Sequence, residues 1–156
     1  MTSKVKPLPD GFHTATPYLI IGGAANAIEF YKKAFGAVEQ YRLTQSDGRV
    51  GHALIRIGDS IIMMADEFPE MGYRGPLSLG GTSVSILIYV DDVDAVFNRA
   101  IAAGAKEFLP VKDQFYGDRN GTLKDPFGHQ WTIATHIEDV TPEEVERRVA
   151  ALHAKK

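Results

Sequence analysis

The sequence predicts an α+β fold made of two βαβββ modules. Three observations predict it. The order strand, helix, strand, strand, strand occurs twice along the chain. Residues 27–37 (AIEFYKKAFGA) align with residues 95–105 (AVFNRAIAAGA). A stretch rich in glycine and proline, residues 67–82, separates the two runs. The likeness rests on element order as much as on letters. Each module has a sheet with one helix-covered face and another face that needs a partner. Two such sheets side by side are expected to leave a concave cleft for a small molecule.

The elements follow in order. Residues 1–13 are polar, with Pro7, Pro9 and Gly11, and read as a flexible arm. Residues 15–21 (ATPYLII) suit a strand, with Pro17 marking an edge or a bulge. Apolar residues at 27, 28, 31, 34 and 35 have the spacing of an amphipathic helix over residues 24–35, which Gly36 stops. Residues 38–44 and 50–57 flank Ser46-Asp47-Gly48, a hairpin turn signal, and residues 60–65 follow the Gly58-Asp59 turn. Residues 67–82 read as a long loop, where function often sits.

The order then restarts with a β-rich run at 83–90. A helix spans 93–103 with Asp92 as N-cap, and Gly104 ends it. Strands are expected at 107–111, 121–124 and 130–135. Their turns are residues 117–121 and Asp125-Pro126-Phe127-Gly128. Thr141-Pro142-Glu143-Glu144 is a helix start with Thr at N-cap and Pro at N1, opening a surface helix to about residue 152. The expected organisation is an arm at 1–13, a single domain at 14–137 and a C-terminal helix segment at 138–156. Module one covers about 14–67, module two about 83–137, and the loop 67–82 links them.

Composition narrows function. The chain has 156 residues, 44% hydrophobic and 24% charged, with no cysteine. That excludes a disulfide scaffold, thiolate zinc, a Cys nucleophile and a CxxC redox motif. Lys+Arg of 17 against Asp+Glu of 20 gives net charge −3, against a general nucleic-acid binder. No apolar run approaches the roughly 20 residues of a membrane span, and residues 1–7 carry no signal-peptide core. A soluble cytoplasmic protein is expected, with no nucleic-acid or membrane partner. No GxGxxG after a strand, GxxxxGK[ST], GxSxG or HExxH occurs.

A family resemblance rests on particular residues. They are Tyr18-Leu19, residues 27–36 (AIEFYKKAFG), His52-Ala53, Gly58-Asp59-Ser60, Met63-Met64 and Asp66-Glu67. The second half adds Tyr116-Gly117-Asp118-Arg119, residues 125–131 (DPFGHQW), Ala134-Thr135-His136 and Glu138-Asp139-Val140. The set resembles the vicinal-oxygen-chelate superfamily, which includes glyoxalase I, bleomycin-resistance proteins, fosfomycin-resistance enzymes and extradiol dioxygenases, and within it the PhnB-like branch. The resemblance covers about residues 14–149. It implies the two-module fold and a homodimer, and leaves the function open, because one fold hosts many chemistries.

In metal-dependent members the resemblance places His or Gln on the first strand of a module and Glu on its last. Those positions fall here on Thr16, on Ile62 or Met63, on Ser85 and on Thr132. None supplies imidazole or carboxylate, so no resident metal or other cofactor is expected. A divalent metal would require a relocated site, with His52, His129 and Glu67 as its candidate ligands.

The candidate site residues are few. His52 shares a strand face with Leu54 and Arg56, and is either a pocket-facing base or ligand or a hydrogen-bonded sheet histidine. Glu67 ends a strand beside the loop, as a proton acceptor or a solvated carboxylate. Met63 and Met64 face opposite ways, one of them toward the cleft as an adaptable apolar wall. Trp131 either stacks on a flat ligand or fills the core. Tyr116, Asp118 and Arg119 read mainly as a turn, with Asp118 and Arg119 paired. Tyr18, His52, Met63, Tyr116 and Trp131 are the expected ligand lining, and His52 and Glu67 the catalytic pair if there is chemistry.

The expected function is a small-molecule-binding protein with a metal-free, apolar and aromatic cleft. The alternatives are a metal-dependent or acid–base lyase, isomerase or dioxygenase acting on a carbonyl or vicinal-oxygen substrate, and a protein-interaction module with a vestigial pocket.

Overall fold

The computed structural model describes residues 4–155. Residues 1–3 of the expected arm and Lys156 of the expected tail lie outside the described residues. The chain divides into two compact units, with the boundary between Gly81 and Thr82.

The first unit runs β1 (Tyr18–Ile21), α1 (Ala24–Phe35), β2 (Val38–Thr44), β3 (Val50–Ile57) and β4 (Ser60–Asp66). Its sheet has the order β1-β4-β3-β2, with β1 parallel to β4 and the other pairs antiparallel. Pro17 lacks an N–H and stays outside the sheet ladder proper, but its carbonyl accepts from the Met63 N–H at 2.9 Å. Alternation sorts the side chains. Leu19, Ile21, Ala53, Ile55, Ile62 and Met64 are buried on the face packed by α1. Ala27, Ile28, Tyr31 and Ala34 of the helix are fully buried, as the apolar spacing predicts. Gly36 closes α1 with φ 66°, its N–H donating to the Lys32 carbonyl. The loop beyond β4 contains a 3₁₀ turn, Pro69–Met71, and the short helix α2, Pro76–Leu79.

The second unit runs β5 (Ser85–Tyr89), α3 (Val93–Ala102), β6 (Lys106–Asp113), β7 (Asp118–Lys124), β8 (Gln130–His136) and α4 (Pro142–His153). Its sheet order, β5-β8-β7-β6, repeats that of the first unit strand for strand. This bears out the predicted α+β fold with two βαβββ modules. Asp92 caps α3 by accepting from the Ala95 N–H at 3.0 Å, as predicted. The Thr135 hydroxyl adds a second cap, accepting from the Val93 N–H and donating to the Val90 carbonyl. Val93, Phe97, Leu123, Trp131 and Ile133 form the core of this unit.

Two expectations about the second unit need correction. Asp118 and Arg119 belong to β7, not to a turn, because the Gly117 signal ends one residue earlier. They are not paired with each other. Arg119 holds Asp94 and Asp113, at 2.8 and 2.9 Å. Helix α4 has no buried residue and is tied down by Arg148, which donates to Glu138, Glu144 and the Phe115 carbonyl. Among the described residues no helix is long and apolar enough to cross a membrane.

Candidate functional site

The first unit contains a pocket of about 390 Å³, near the lower end of the usual range for small-molecule sites, roughly 300–1,000 Å³. Its floor is the sheet face opposite α1, with Tyr18, Ile20 and Ala65. Its wall is the loop after β4, with Phe68, Met71 and Tyr73. The loop holds its shape through a Phe68–Tyr73 bridge, the Arg49 guanidinium 4.1 Å above the Phe68 ring, and Glu67. The Glu67 carboxylate accepts from the Gly75 N–H at 2.6 Å and from the Ser78 hydroxyl. Gly75 admits no side chain, since a Cβ would stand 2.9 Å from the Ile20 carbonyl oxygen. The loop therefore approaches the β1 backbone closely enough to close one side of the pocket.

Glu67 thus plays a different part from a free proton acceptor. Its hydrogen bonds from Ser78 and then Gly75 hold its pKa below the usual carboxylate value. A carboxylate so engaged is a clamp and a weak base. Asp66 beside it carries part of the family resemblance but is absent from the expected site residues. One of its oxygens accepts from the Gly23 and Ala24 N–H groups, the other from the Val50 N–H, at 2.7–2.9 Å. It caps α1, which has no side-chain cap of its own at Gly23, and fixes the pocket's end.

His52 lies on the same face as Tyr18. Tyr18 Oη and His52 Nδ1 share a hydrogen bond of 2.9 Å, and the rings are 5.5 Å apart. Tyr41 packs on the other side of His52 at 6.3 Å. Burial, then the neighbouring Tyr73, raise the Tyr18 pKa, which keeps the phenol protonated. Met63 is half-buried and pairs across the strands with both Tyr18 and Leu54. The structure brings Tyr18, His52 and Met63 together on one sheet face.

Trp131 lines neither the first unit's pocket nor the second unit's cavity described below. It is fully buried, and its indole N–H donates to Asp125 Oδ2 at 2.9 Å. Asp125 also accepts from the Phe127 and His129 N–H groups, so the Asp-Pro-Phe-Gly turn and the tryptophan anchor are one assembly. Parity on β8 turns Trp131 toward α3 and leaves Thr132 on the opposite face. Tyr116 is exposed in part and lines a cavity of the second unit, where its hydroxyl accepts from Asn120 Nδ2 at 2.7 Å.

On that face, β7 carries a row of buried polar residues, Asp118, Asn120 and Thr122. Each has partners. Asp118 accepts from Tyr89 Oη and bonds His136 Nδ1, whose other nitrogen reaches Asp139 at 2.8 Å. Asn120 bonds Gln114 and Tyr116, and Thr122 shares a 2.9 Å hydrogen bond with Thr132. Sequence reasoning missed this row. Its signal was the alternation of Asp118, Asn120 and Thr122, hidden by the turn-like letters DRNG.

The metal positions implied by the resemblance can be tested on their donors. Thr16 donates to the His13 carbonyl at 3.4 Å, and Ile62 is buried on the helix side. Met63 offers a thioether, Ser85 is exposed, and the Thr132 hydroxyl is shared with Thr122. Neutral hydroxyls and a thioether do not fit a divalent ion that prefers imidazole and carboxylate. Among the described residues no group of three or more His, Cys, Asp or Glu could hold a metal.

Residues 12–133 match the Glyoxalase/Bleomycin resistance protein/Dioxygenase superfamily. The chain belongs to this superfamily. An uncharacterized protein of Mycobacterium bovis is 42% identical over 139 residues, 87% of this chain and 91% of the relative. The crystal structure of a protein from Pseudomonas aeruginosa has a TM-score of 0.65 at 24% identity, covering 81% of this chain and 99% of its own. A PhnB protein from Bacillus cereus, described as a putative 3-demethylubiquinone-9 3-methyltransferase, has a TM-score of 0.63 at 19% identity, covering 79% and 99%. These structures share the fold. Tyr18, Met63 and Thr132 occupy the sheet faces opposite the helices.

Proposed function

We propose that this member of the superfamily binds a small, planar, mainly apolar molecule in the first unit's pocket and sequesters it without a resident metal. The carrying observation is the ring set of Tyr18, Phe68 and Tyr73, with Met71, around about 390 Å³. Aromatic faces stack on flat ligands, and a thioether adapts to their outline. The one carboxylate in the lining, Asp66, is already engaged by three backbone N–H groups.

The test uses 1-naphthol as a two-ring probe, in a thermal-shift titration and by calorimetry. A native-state ligand at about 100 times its Kd adds about 2.7 kcal/mol of stability, which raises Tm by several degrees. Tyr73→Ala is expected to weaken binding about tenfold, the loss of one aromatic contact plus its buried area. Metal analysis of protein purified without a His-tag belongs to the same test. Binding indifferent to Tyr73→Ala, or a stoichiometric transition metal, would overturn the proposal.

A second reading, acid–base catalysis on a carbonyl substrate, is favoured by the Tyr18–His52 hydrogen bond. It requires that His52→Ala abolish turnover while leaving the unfolding midpoint in place.

A further inference from the structure

The second unit has a cavity of its own, of about 380 Å³, on the face of its sheet opposite α3. Leu87 and Leu109 give it an apolar side. Apart from Pro110 the rest of the lining is polar, contains no carboxylate, and has an unusual proton count.

Asn120 Oδ1 accepts from Gln114 Nε2 at 3.0 Å, and Asn120 Nδ2 donates to Tyr116 Oη at 2.7 Å. Because the tyrosine oxygen receives that bond, its own proton is left to donate elsewhere. Thr122 and Thr132 share one hydrogen bond, which uses one of their two hydroxyl protons and leaves the other. Lys112 brings an ammonium that enters no salt bridge among the described residues. Two hydroxyl protons and a cation therefore remain for a guest, and Asn120, only 7% exposed, orients the tyrosine from behind.

We propose that this cavity is a binding site for a small aliphatic carboxylate. The carboxylate takes the Lys112 ammonium and the Tyr116 and threonine hydroxyls as donors, and its short chain lies against Leu87 and Leu109. Charge-assisted hydrogen bonds of this kind are about twice as strong as neutral ones. Every residue lining this cavity belongs to the second unit, and none of them lines the planar-ligand pocket.

The test follows backbone amide NMR shifts of the full chain during titration with butyrate, butyramide and inorganic phosphate. Butyrate is expected to saturate, with shifts at Tyr116, Asn120 and Thr132, and butyramide to bind at least about tenfold more weakly, the loss of one charge-assisted contact. Asn120→Asp keeps the shape, places a negative charge in the lining and claims the tyrosine proton, so it is expected to remove butyrate binding. Lys112→Gln and Tyr116→Phe each weaken it, and they carry the test should Asn120→Asp not fold. Equal affinity for butyramide would overturn the proposal, as would a preference for phosphate or indifference to both Lys112→Gln and Tyr116→Phe. Butyrate shifts confined to Tyr18 and Tyr73 would also overturn it. Failure of 1-naphthol binding would leave it intact.

Discussion

The two sheets are built on one frame and carry opposite chemistry on their helix-free faces. In the first, Met63 pairs across the strands with Tyr18 and Leu54. In the second, the residue with the same neighbours in the ladder is Thr132, between Leu87 and Thr122. An apolar contact on one sheet thus stands where a hydroxyl pair stands on the other. On the helix-covered faces the difference vanishes, with Met64 beside Leu19 and Ala53, and Ile133 beside Ile88 and Gly121. Gly121 is required there, because a Cβ would come within 2.9 Å of the Phe97 ring. Burial against a helix dictates apolar residues, whereas an open face leaves side-chain chemistry free to diverge.

The polar face should break hardest. Asp118 is 6% exposed and serves both Tyr89 and His136. Asp118→Ala removes the acceptor of Tyr89 Oη and of His136 Nδ1, two groups that water still reaches, and should cost about 2 kcal/mol, the net worth of hydrogen bonds to a charged group. Urea unfolding measures it. A loss under about 1 kcal/mol, the size of an ordinary surface change, would show that the row is decoration rather than structure.

A smaller effect sharpens the comparison. Thr132→Val should cost about 1 kcal/mol by stranding the Thr122 hydroxyl, and adding Thr122→Val should restore most of it, since paired removal is nearly neutral. Met63→Thr on the first sheet lacks a waiting hydroxyl partner and should also cost about 1 kcal/mol, without rescue by Leu54→Thr beyond additivity. A double-mutant cycle on each sheet distinguishes a hydrogen-bonded pair from a packed one. Equal coupling on both sheets would refute the contrast.

Much of the frame was legible in the letters. Helix α1 coincides with the residues its apolar spacing marks, and β2 and β3 with the runs flanking Ser46-Asp47-Gly48. Local periodicity and turn chemistry suffice for these. The site was less legible. Tyr18, His52 and Met63 share a face because period 2 and ladder register put them there, but Phe68 and Tyr73 reach the pocket only through a loop folded by Glu67 and Gly75. No spacing rule encodes that path. Trp131 could not be assigned to core or lining from its type alone, since either role suits an indole. Parity on β8 and the Asp125 acceptor decide it.

The smallest expected effect is electrostatic and has a definite sign. His136 is bonded by Asp139 and Asp118, and these two carboxylates, Asp139 first, raise its pKa above 6.5. A histidine more basic in the folded chain than in the unfolded one stabilises the fold when protonated. That contribution is complete below pH 6.5 and disappears as pH rises through the raised value. Unfolding midpoints should therefore fall across this window more steeply in the native sequence than in His136→Gln, which cannot titrate. Asp139→Asn should bring the His136 ring titration, followed by NMR, back toward its ordinary value, with Asp118 still in place. If the native sequence and His136→Gln lost stability equally across this window, the pH dependence would not belong to the polar face.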